Sequence, residues 1–340
     1  MKIVVLGGGN GTSHLLKALL PLLQEKKIKS LYALVSTADD GGSTGRLREQ
    51  YEVSSMGDLT KSLMALSTLQ GDIRGEELLR ALNYRFHEGD FSGHTLRNIL
   101  LAVFELTSQD IDSAIAILAR LLQIPKNSGV IPTTLKPLQQ RVEVKINGRR
   151  STLGEGQHFI SHKVNLQIDP AWKPGAVRVT FKENLPLNPR AQEILKDATH
   201  ILIAPGHTFG TILPTLALPA LGEAIKKSSA KLWVVMTLLS TPRQTTGWSG
   251  EDFVRVYESY LGRPVELVIS NTEHAEVPLV PEQHWVEFQE QEHAYKFIEA
   301  DLVSTEEQPA QAADVVPRAI VVHDSMKLEK LFRELLKKTA

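Results

Sequence analysis

The sequence predicts an α/β fold of three layers, in which a doubly wound, mostly parallel sheet of the Rossmann-like type lies between helices. Short apolar runs that end in glycine or proline loops alternate with amphipathic helical patterns in both halves of the chain. Between residues 130 and 185 the hydrophobic period changes to two, which predicts a small antiparallel β insertion. With 340 residues, of which 42% are hydrophobic, we expect one domain that spans residues 1–340.

The N-terminal part of the chain predicts one βαβ unit followed by helices. Residues 3–6 form an apolar run, residues 7–12 a glycine turn, and leucines at helical spacing follow. The second strand of the unit is expected at residues 31–35. Further helices are predicted over residues 57–66, 76–84, 95–106 and 113–122.

The rest of the chain predicts the β insertion and then more strand–helix units. The insertion is predicted from alternating runs and one type I′ hairpin turn, at residues 141–146, 147–148 (Asn-Gly), 164–168 and 176–181. Strands follow at residues 200–204, 232–237, 265–270 and 320–322, and helices at residues 190–198, 252–261 and from 326 onward. Residues 304–317 are rich in Gln, Ala and Pro and are expected to form a mobile surface loop.

The composition excludes several classes of function. A net charge of −1 provides no positive field for nucleic acid or an acidic membrane, so we expect neither as a partner. The absence of cysteine excludes disulfides and thiolate chemistry. No apolar run approaches the ~18 residues of a membrane span, and the apolar start is too short for a signal peptide. We therefore expect a cytoplasmic protein without membrane insertion.

Residues 36–48 are the most informative segment, because they combine carboxylates, glycines, hydroxyls and guanidiniums after an apolar run. The candidate ligand-binding residues here are Asp39, Asp40, Gly41, Gly42, Ser43, Thr44 and Arg46. The glycines let the backbone approach a ligand, and the hydroxyl and guanidinium groups suit phosphate oxygens. The two carboxylates repel phosphate unless a divalent cation or a sugar hydroxyl lies between. The segment thus indicates a phosphorylated sugar or nucleotide; the alternative is a glycine- and serine-rich hairpin with surface charges.

The turn after the first strand is a second candidate phosphate site. Its ligand-binding candidates are Gly8, Gly9, Asn10, Gly11 and Thr12. A helix begins here, and helix N-termini attract anions. The third glycine of G-x-G-x-x-G would fall at Thr12, and no Lys-Ser/Thr pair follows, so neither the dinucleotide fingerprint nor the P-loop is present. The alternative is a turn that needs its glycines only for packing.

Three further segments contribute candidates. His94 and Asn98 lie near a predicted helix start that Ser92 or Thr95 would cap, where the helix dipole lowers the pKa of His94. The loop after the strand at 200–204 adds Pro205, Gly206, His207 and Thr208. The irregular residues 238–252 suggest a lid, in which Trp248 either stacks on a base or anchors packing. Neither a G-x-S-x-G elbow nor an H-E-x-x-H pattern occurs, so we assign no catalytic residue and no metal ligand.

These motifs together resemble the 2-phospho-L-lactate transferase-like superfamily, and within it the gluconeogenesis factor (YvcK-like) branch. Residues 7–11 match G-G-G-x-G, residues 38–48 match A-D-D-G-G-S-[ST]-G-R-[LI]-R in full, and residues 84–86 with 92–98 match Y-R-F…S-G-H-x-L-x-N. The stretch after Gly57 departs from the G-D-x-R-N motif, because it keeps Asp58 but has Thr60 and Lys61. Arg97 replaces a glycine, and His207 replaces a serine. By this resemblance Asp58 joins the candidate ligand-binding residues.

The resemblance implies a UDP-sugar-binding regulatory protein linked to cell shape and carbon use. The alternative is a phosphotransferase that acts on a nucleotide-diphospho donor with a divalent cation, as the transferase branch does. A NAD-binding oxidoreductase is disfavoured by the missing third glycine. We expect a UDP-sugar or another nucleotide diphosphate as ligand and no required cofactor, although Asp39 and Asp40 would accept Mg²⁺. The existence of catalysis and of a homo-oligomer stays open.

Overall fold

A sheet of seven parallel strands forms the centre of the molecule. The structure, a computed structural model, describes residues 1–39, 41–146, 149–156, 174–289, 292–304 and 321–339. The strand order is β10-β9-β8-β7-β1-β2-β3. These strands are β1 (Lys2–Leu6), β2 (Ser30–Val35), β3 (Ser128–Pro132), β7 (His200–Ile203), β8 (Lys231–Val235), β9 (Leu267–Asn271) and β10 (Lys296–Ala300). The predicted three-layer, doubly wound fold is confirmed.

The apolar strands are buried on both faces, because each face is covered by helices. In β1, Ile3 and Val5 belong to one core, whereas Val4 and Leu6 belong to the other. This alternation follows from the two-residue period of a strand. The β1 run therefore reads as continuously hydrophobic in the sequence.

Helices cover both faces of the sheet. The first layer contains α1 (Gly9–Gln24), α2 (Gly42–Tyr51), α3 (Gly57–Ala65), α4 (Ile73–Asn83), α5 (Leu96–Ser108), α6 (Ile111–Leu121) and α11 (Ser325–Thr339). The second contains α7 (Pro189–Asp197), a π-helical turn (Thr208–Ile212), α8 (Leu213–Leu216), α9 (Pro219–Lys227) and α10 (Gly250–Leu261). Side chains cap several starts: Asp72 accepts from the Gly75 amide, and Ser249 forms a capping box with Asp252.

The predicted β insertion is a small antiparallel sheet that packs on the second helix layer. Its order is β5-β4-β6, with β4 (Gln140–Ile146), β5 (Arg149–Glu155) and β6 (Val177–Phe181). Its inward valines belong to the second core, and Arg178 lies 4.0 Å above the Tyr260 ring. The predicted turn at 147–148 and strand at 164–168 lie outside the described residues.

Two strands of the parallel sheet were not predicted, and one predicted strand was wrong. Strand β3 belongs to the parallel sheet, so the insertion starts later than residue 130. Strand β10 lies at the sheet edge and is only half-buried, so it lacks the apolar run that marks the central strands. The described residues 321–322 are not a strand; one isolated bridge joins Val303 to His323. The loop predicted at 304–317 lies outside the described residues except for Ser304.

No single helix among the described residues is long and apolar enough to cross a membrane. One pair, Thr208–Leu216 with Pro219–Lys227, passes the test of length and composition together but is bent by 61°.

Candidate functional site

The loops after β1 and β7 meet at the point where the strand order reverses. From β1 the chain proceeds to β2 and β3 on one side, and from β7 it proceeds to β8–β10 on the other. Ligands of open α/β sheets bind at such a switch point. A methyl group on Gly11 would lie 2.1 Å from the Pro205 carbonyl oxygen, so the two loops are in direct contact. We call residues 7–12 and 204–208 the switch-point loops.

The N-terminus of α1 is contacted by the protein's own carboxylate. The Gly9 amide donates to Asp58, and a methyl group on Gly8 would lie 2.4 Å from Asp58 Oδ2. Lys61 Nζ lies 3.9 Å from Asp58 Oδ1. Burial raises the pKa of Asp58, whereas Lys61 and the Gly9 amide act against that rise. Gly8 and Gly11 are thus required for close packing, which was the alternative interpretation of this turn.

The segment after β2 adjoins the start of α3. Asp39 Oδ1 accepts from the Gly41 amide at 3.0 Å. A methyl group on Gly57 would lie 3.1 Å from Asp39 Oδ2 and 3.2 Å from the Thr44 hydroxyl. Because Gly57 precedes Asp58, the first two predicted loops meet around the start of α3. Asp40 lies outside the described residues, as does the side chain of Ser43.

The two arginines of this segment have different partners. Arg48 donates to the carbonyl oxygens of Asp39 and Leu138, both at 3.0 Å, and so ties α2 to the strand ends. Arg46 is exposed and donates to the carbonyl oxygen of Ser92. The predicted site residue Arg46 therefore reaches the third predicted segment.

His94 is buried beside two guanidiniums. Arg85 donates to the Gly93 carbonyl oxygen at 2.6 Å, next to the Arg46 contact on Ser92. Burial lowers the pKa of His94 first, and the charges of Arg46 and Arg85 lower it further. This direction agrees with the expected one, and burial is its largest cause.

Asn98 takes part in an internal network. Its Oδ1 accepts from the Thr60 hydroxyl at 2.7 Å, and Arg97 Nε donates to the same hydroxyl at 3.3 Å. Arg97 also donates to Asn83 Oδ1. Sequence reasoning missed this pair, although Thr60 and Arg97 are two departures from the family motif and therefore carried a signal. The expected capping of α5 by the Thr95 side chain is wrong, because that side chain makes no capping hydrogen bond.

The second switch-point loop is capped by an imidazole. His207 Nδ1 accepts from the Gly210 amide at 2.8 Å at the start of the π-helical turn. Burial lowers the pKa of His207 to about 4, so its ring is neutral near pH 7. Thr208 is buried and hydrogen-bonds the Tyr257 phenol.

Four buried polar atoms in these segments have no hydrogen-bond partner. They are Thr12 Oγ1, His94 Nδ1, Thr95 Oγ1 and His207 Nε2. A buried polar group that stays unsatisfied costs about 1–3 kcal/mol, so such groups are scarce in folded proteins. These four lie in segments at which the sequence predicts ligand binding, and further unpartnered atoms lie elsewhere in the described chain, for example in Gln140 and His323.

The segment 238–252 is fixed by packing. The Trp248 ring lies 6.0 Å from the Phe209 ring and 5.2 Å from the Phe253 ring. Ser240 Oγ lies 2.8 Å from His284 Nδ1. Of the two predicted roles of Trp248, the structure supports the packing anchor.

Within the described ranges, no group of three or more His, Asp or Glu side chains converges as a metal site. Asp39 and Asp58 both border Gly57, yet each already accepts a backbone amide. Mg²⁺ is usually held by one or two carboxylates together with phosphates of a substrate. Asp39 and Asp58, near the start of α3, therefore provide the carboxylates of such a site but not its phosphate ligands.

The comparison with known families agrees with these motifs. The profile of the family described as 2-phospho-L-lactate transferase CofD matches residues 3–316. The chain belongs to this family. It is 32% identical over 332 residues to the gluconeogenesis factor of Listeria innocua, with 94% of both chains covered. It is 28% identical over 353 residues to the gluconeogenesis factor of Bacillus subtilis, with 99% of this chain and 98% of that protein covered.

A solved structure shares the fold of this CofD-family chain. It is the crystal structure of a UPF0052 family member from Bacillus halodurans, which covers 98% of both chains with a TM-score of 0.77 at 24% sequence identity. At this identity the likeness concerns the fold alone. The resemblance to the gluconeogenesis factor branch is confirmed.

Proposed function

We propose that the protein binds a nucleoside-diphosphate sugar, of the UDP type, at the switch-point loops and the adjoining residues 39–46. The observation that carries this proposal is the set of four buried, unpartnered polar atoms on segments that meet at the carboxyl ends of the strands. A ligand with many acceptor and hydroxyl groups would satisfy them. By likeness to relatives that are named gluconeogenesis factors, the protein would act in the control of carbon use. The motif resemblance extends this proposal to the control of cell shape.

The proposed roles follow from the chemistry of each group. His207 Nδ1 already accepts a hydrogen bond, so its neutral ring carries the proton on Nε2 and would donate to phosphate or to a base. The Thr12 hydroxyl would donate at the start of α1. Arg46 is exposed and would add a charge-assisted contact to a phosphate oxygen. Asp39 would accept from a ribose or sugar hydroxyl.

We further propose that binding needs no metal ion. Asp39 and Asp58 each have a backbone amide as donor, so their charges are partly compensated without a cation. The second candidate function is a phosphotransferase that uses a nucleotide-diphospho donor and Mg²⁺, which is favoured by the family match over residues 3–316. The two functions differ in what chelation does to binding.

Calorimetric titration separates these functions. The protein is titrated with UDP-N-acetylglucosamine, GDP and NAD in the presence of Mg²⁺ and again in EDTA. The proposal expects the UDP-sugar to bind in both buffers and NAD not to bind. Loss of tight binding in EDTA would favour the phosphotransferase, and the absence of binding to any nucleotide diphosphate would contradict both.

A matched pair of glycine variants assigns the binding to the first switch-point loop. Gly9 and Gly71 have φ values of +69° and +87°, and a methyl group at either position meets nothing closer than 3.8 Å. Gly9→Ala and Gly71→Ala therefore introduce similar backbone strain, about 1–2 kcal/mol each. Only Gly9→Ala is expected to weaken UDP-sugar binding. An equal effect of both variants on affinity would place the ligand elsewhere.

A further inference from the structure

Lys61 lies beside the carboxylate that contacts the first switch-point loop. Its Nζ atom lies 3.9 Å from Oδ1 of Asp58, and Asp58 accepts from the Gly9 amide at the start of α1. The side chain of Lys61 is 33% exposed and that of Asp58 is 14% exposed, so solvent reaches the ammonium more readily than the carboxylate. The family motif has an asparagine where this chain has Lys61. This difference places an additional positive charge at the proposed ligand site.

The oxygen nearest to Lys61 adjoins both sides of the switch point. A methyl group on Gly9 would lie 3.8 Å from Asp58 Oδ1 and 3.8 Å from the hydroxyl oxygen of Thr211. Gly9 belongs to the first switch-point loop, and Thr211 belongs to the π-helical turn that follows the second. The Lys61 ammonium therefore lies close to the point at which the start of α1 meets both loops.

The carboxylates of this region oppose the binding of a phosphate. The start of α1 is the kind of donor group that binds phosphate, but Asp58 already occupies its Gly9 amide. Asp39 adds a second carboxylate, whose Oδ2 atom would lie 3.1 Å from a methyl group on Gly57. Like charges at short range repel, and a positive charge between them offsets the repulsion. A cation beside Asp58 therefore favours phosphate binding at this place.

The ammonium of Lys61 is available to a ligand. Among the described residues it has no hydrogen-bond acceptor, because the 3.9 Å to Asp58 Oδ1 is longer than a hydrogen bond, and an ammonium has three donors. Arg46 and Arg48, in contrast, donate to backbone carbonyl oxygens. A partly exposed i,i+3 ion pair of this length contributes little to stability. The fold therefore does not require this lysine, whereas a bound phosphate would use its charge.

We propose that Lys61 binds a phosphate oxygen of the nucleoside-diphosphate sugar and supplies, between the ligand and Asp58, the positive charge that Mg²⁺ supplies in many phosphate sites. This inference rests on the proposed function, because it names a further residue that binds the same ligand. A lysine ammonium is a compact charge on a flexible stem, so it contacts a carboxylate and a phosphate at the same time. The asparagine of the family motif carries no charge and would leave this place to a metal ion.

Calorimetric titration of the Lys61→Asn variant with UDP-N-acetylglucosamine tests this proposal. In EDTA the variant is expected to bind at least ~10-fold more weakly than the unaltered protein, because a charge-assisted contact is lost. Mg²⁺ should restore most of the affinity of the variant, since the ion then supplies the missing charge. The unaltered protein should bind equally well in both buffers. Lys17→Asn is the matched control, because Lys17 is an exposed lysine on α1, and its affinity should not change.

The outcomes of this titration separate the role of Lys61 from the proposed function. If the unaltered protein binds no UDP-sugar in either buffer, both are overturned. Equal affinities of the unaltered protein and Lys61→Asn in EDTA would contradict the role of Lys61 alone. A loss that Mg²⁺ does not reverse would also contradict it, because Lys61 would then act by holding Asp58 in place rather than by supplying charge to the ligand.

A charge-conserving variant provides a second measurement at the same position. Lys61→Arg keeps the positive charge and is expected to retain the affinity in EDTA to within ~3-fold. Chemical denaturation of both Lys61 variants checks the fold, and we expect unchanged midpoints because the pair with Asp58 is long and partly exposed. If Lys61→Arg loses as much affinity as Lys61→Asn while both midpoints stay unchanged, the charge at this position does not bind the ligand.

Discussion

The two switch-point loops occupy equivalent places in the sheet, but an acidic side chain contacts the helix start in the first and a neutral basic side chain does so in the second. Each follows a buried parallel strand and leads into a helical segment. At the loop after β1, the Gly9 amide at the helix start donates to the Asp58 carboxylate. At the loop after β7, the Gly210 amide donates to the neutral imidazole of His207. One loop therefore has an acid with a raised pKa, and the other has a base with a lowered pKa.

A glycine-containing loop at a strand end therefore does not by itself define a phosphate cradle. In the first loop the amide of the helix start already has an acceptor, and two of the glycines are needed for packing. In the second loop the capping ring keeps one nitrogen without a partner. Four measurements test this difference between the loops.

The largest effect on stability is expected from Gly11→Ala, which disrupts the contact between the two loops. The new methyl group would lie 2.1 Å from the Pro205 carbonyl oxygen, a backbone atom that cannot move aside cheaply. We expect the free energy of unfolding, measured by chemical denaturation, to fall by about 3 kcal/mol. Gly129→Ala is the control, because its nearest neighbours lie at 3.6 Å, and it should cost less than about 1 kcal/mol. Similar losses in both variants would contradict a tight contact between the loops.

Alanine variants of the two arginines beside the first loop should differ in effect: one should mainly lower stability, and the other should mainly weaken ligand binding. Arg48→Ala removes two charge-assisted bonds to backbone carbonyls and should lower the free energy of unfolding by about 1.5–3 kcal/mol. Arg46→Ala removes an exposed side chain, so it should change stability less but weaken UDP-sugar binding more. Denaturation and calorimetry on both variants measure the two quantities. Equal, small effects on affinity would show that neither arginine contacts phosphate.

Substitution of His207, which caps the second loop, should change how the free energy of unfolding depends on acid pH. The pKa of His207 is lowered from 6.5 to about 4 by burial, so unfolding takes up a proton between these values. Its contribution to stability is complete above pH 6.5 and is lost as pH falls toward 4. His207→Ala should lower the free energy of unfolding at pH 7 by about 1 kcal/mol, since the cap is lost. His207→Ser keeps a capping group and should cost less, and both variants should flatten the acid dependence. An unchanged pH slope would show that the ring titrates normally.

The first loop should respond to acid in the opposite direction, with the smallest effect. Burial raises the pKa of Asp58, so the folded state binds the proton more tightly than the unfolded state does. Its charged form therefore destabilises the fold as pH rises from the ordinary carboxyl range through the raised pKa. Asp58→Asn should remove this loss and raise the free energy of unfolding at neutral pH by a few tenths of a kcal/mol to about 1 kcal/mol. A lower free energy of unfolding in the Asp58→Asn variant at neutral pH would show instead that the Lys61 pair outweighs burial.

Local sequence patterns were sufficient to predict the fold class and the positions of the loops. Continuous apolar runs such as that in β1 predict strands buried on both faces, and glycine loops predict where those strands end, because both signals are local. For the same reason the motif at residues 38–48 was sufficient to predict the family. Edge strand β10 escaped prediction, since a half-buried strand has no continuous apolar run.

The partners of each polar group, in contrast, became known only from the tertiary structure. Asp58 reaches the Gly9 amide across 49 residues, Thr60 and Arg97 meet across 37, and Gly11 touches Pro205 across 194. Local patterns do not encode such distances, because packing of whole helices sets them.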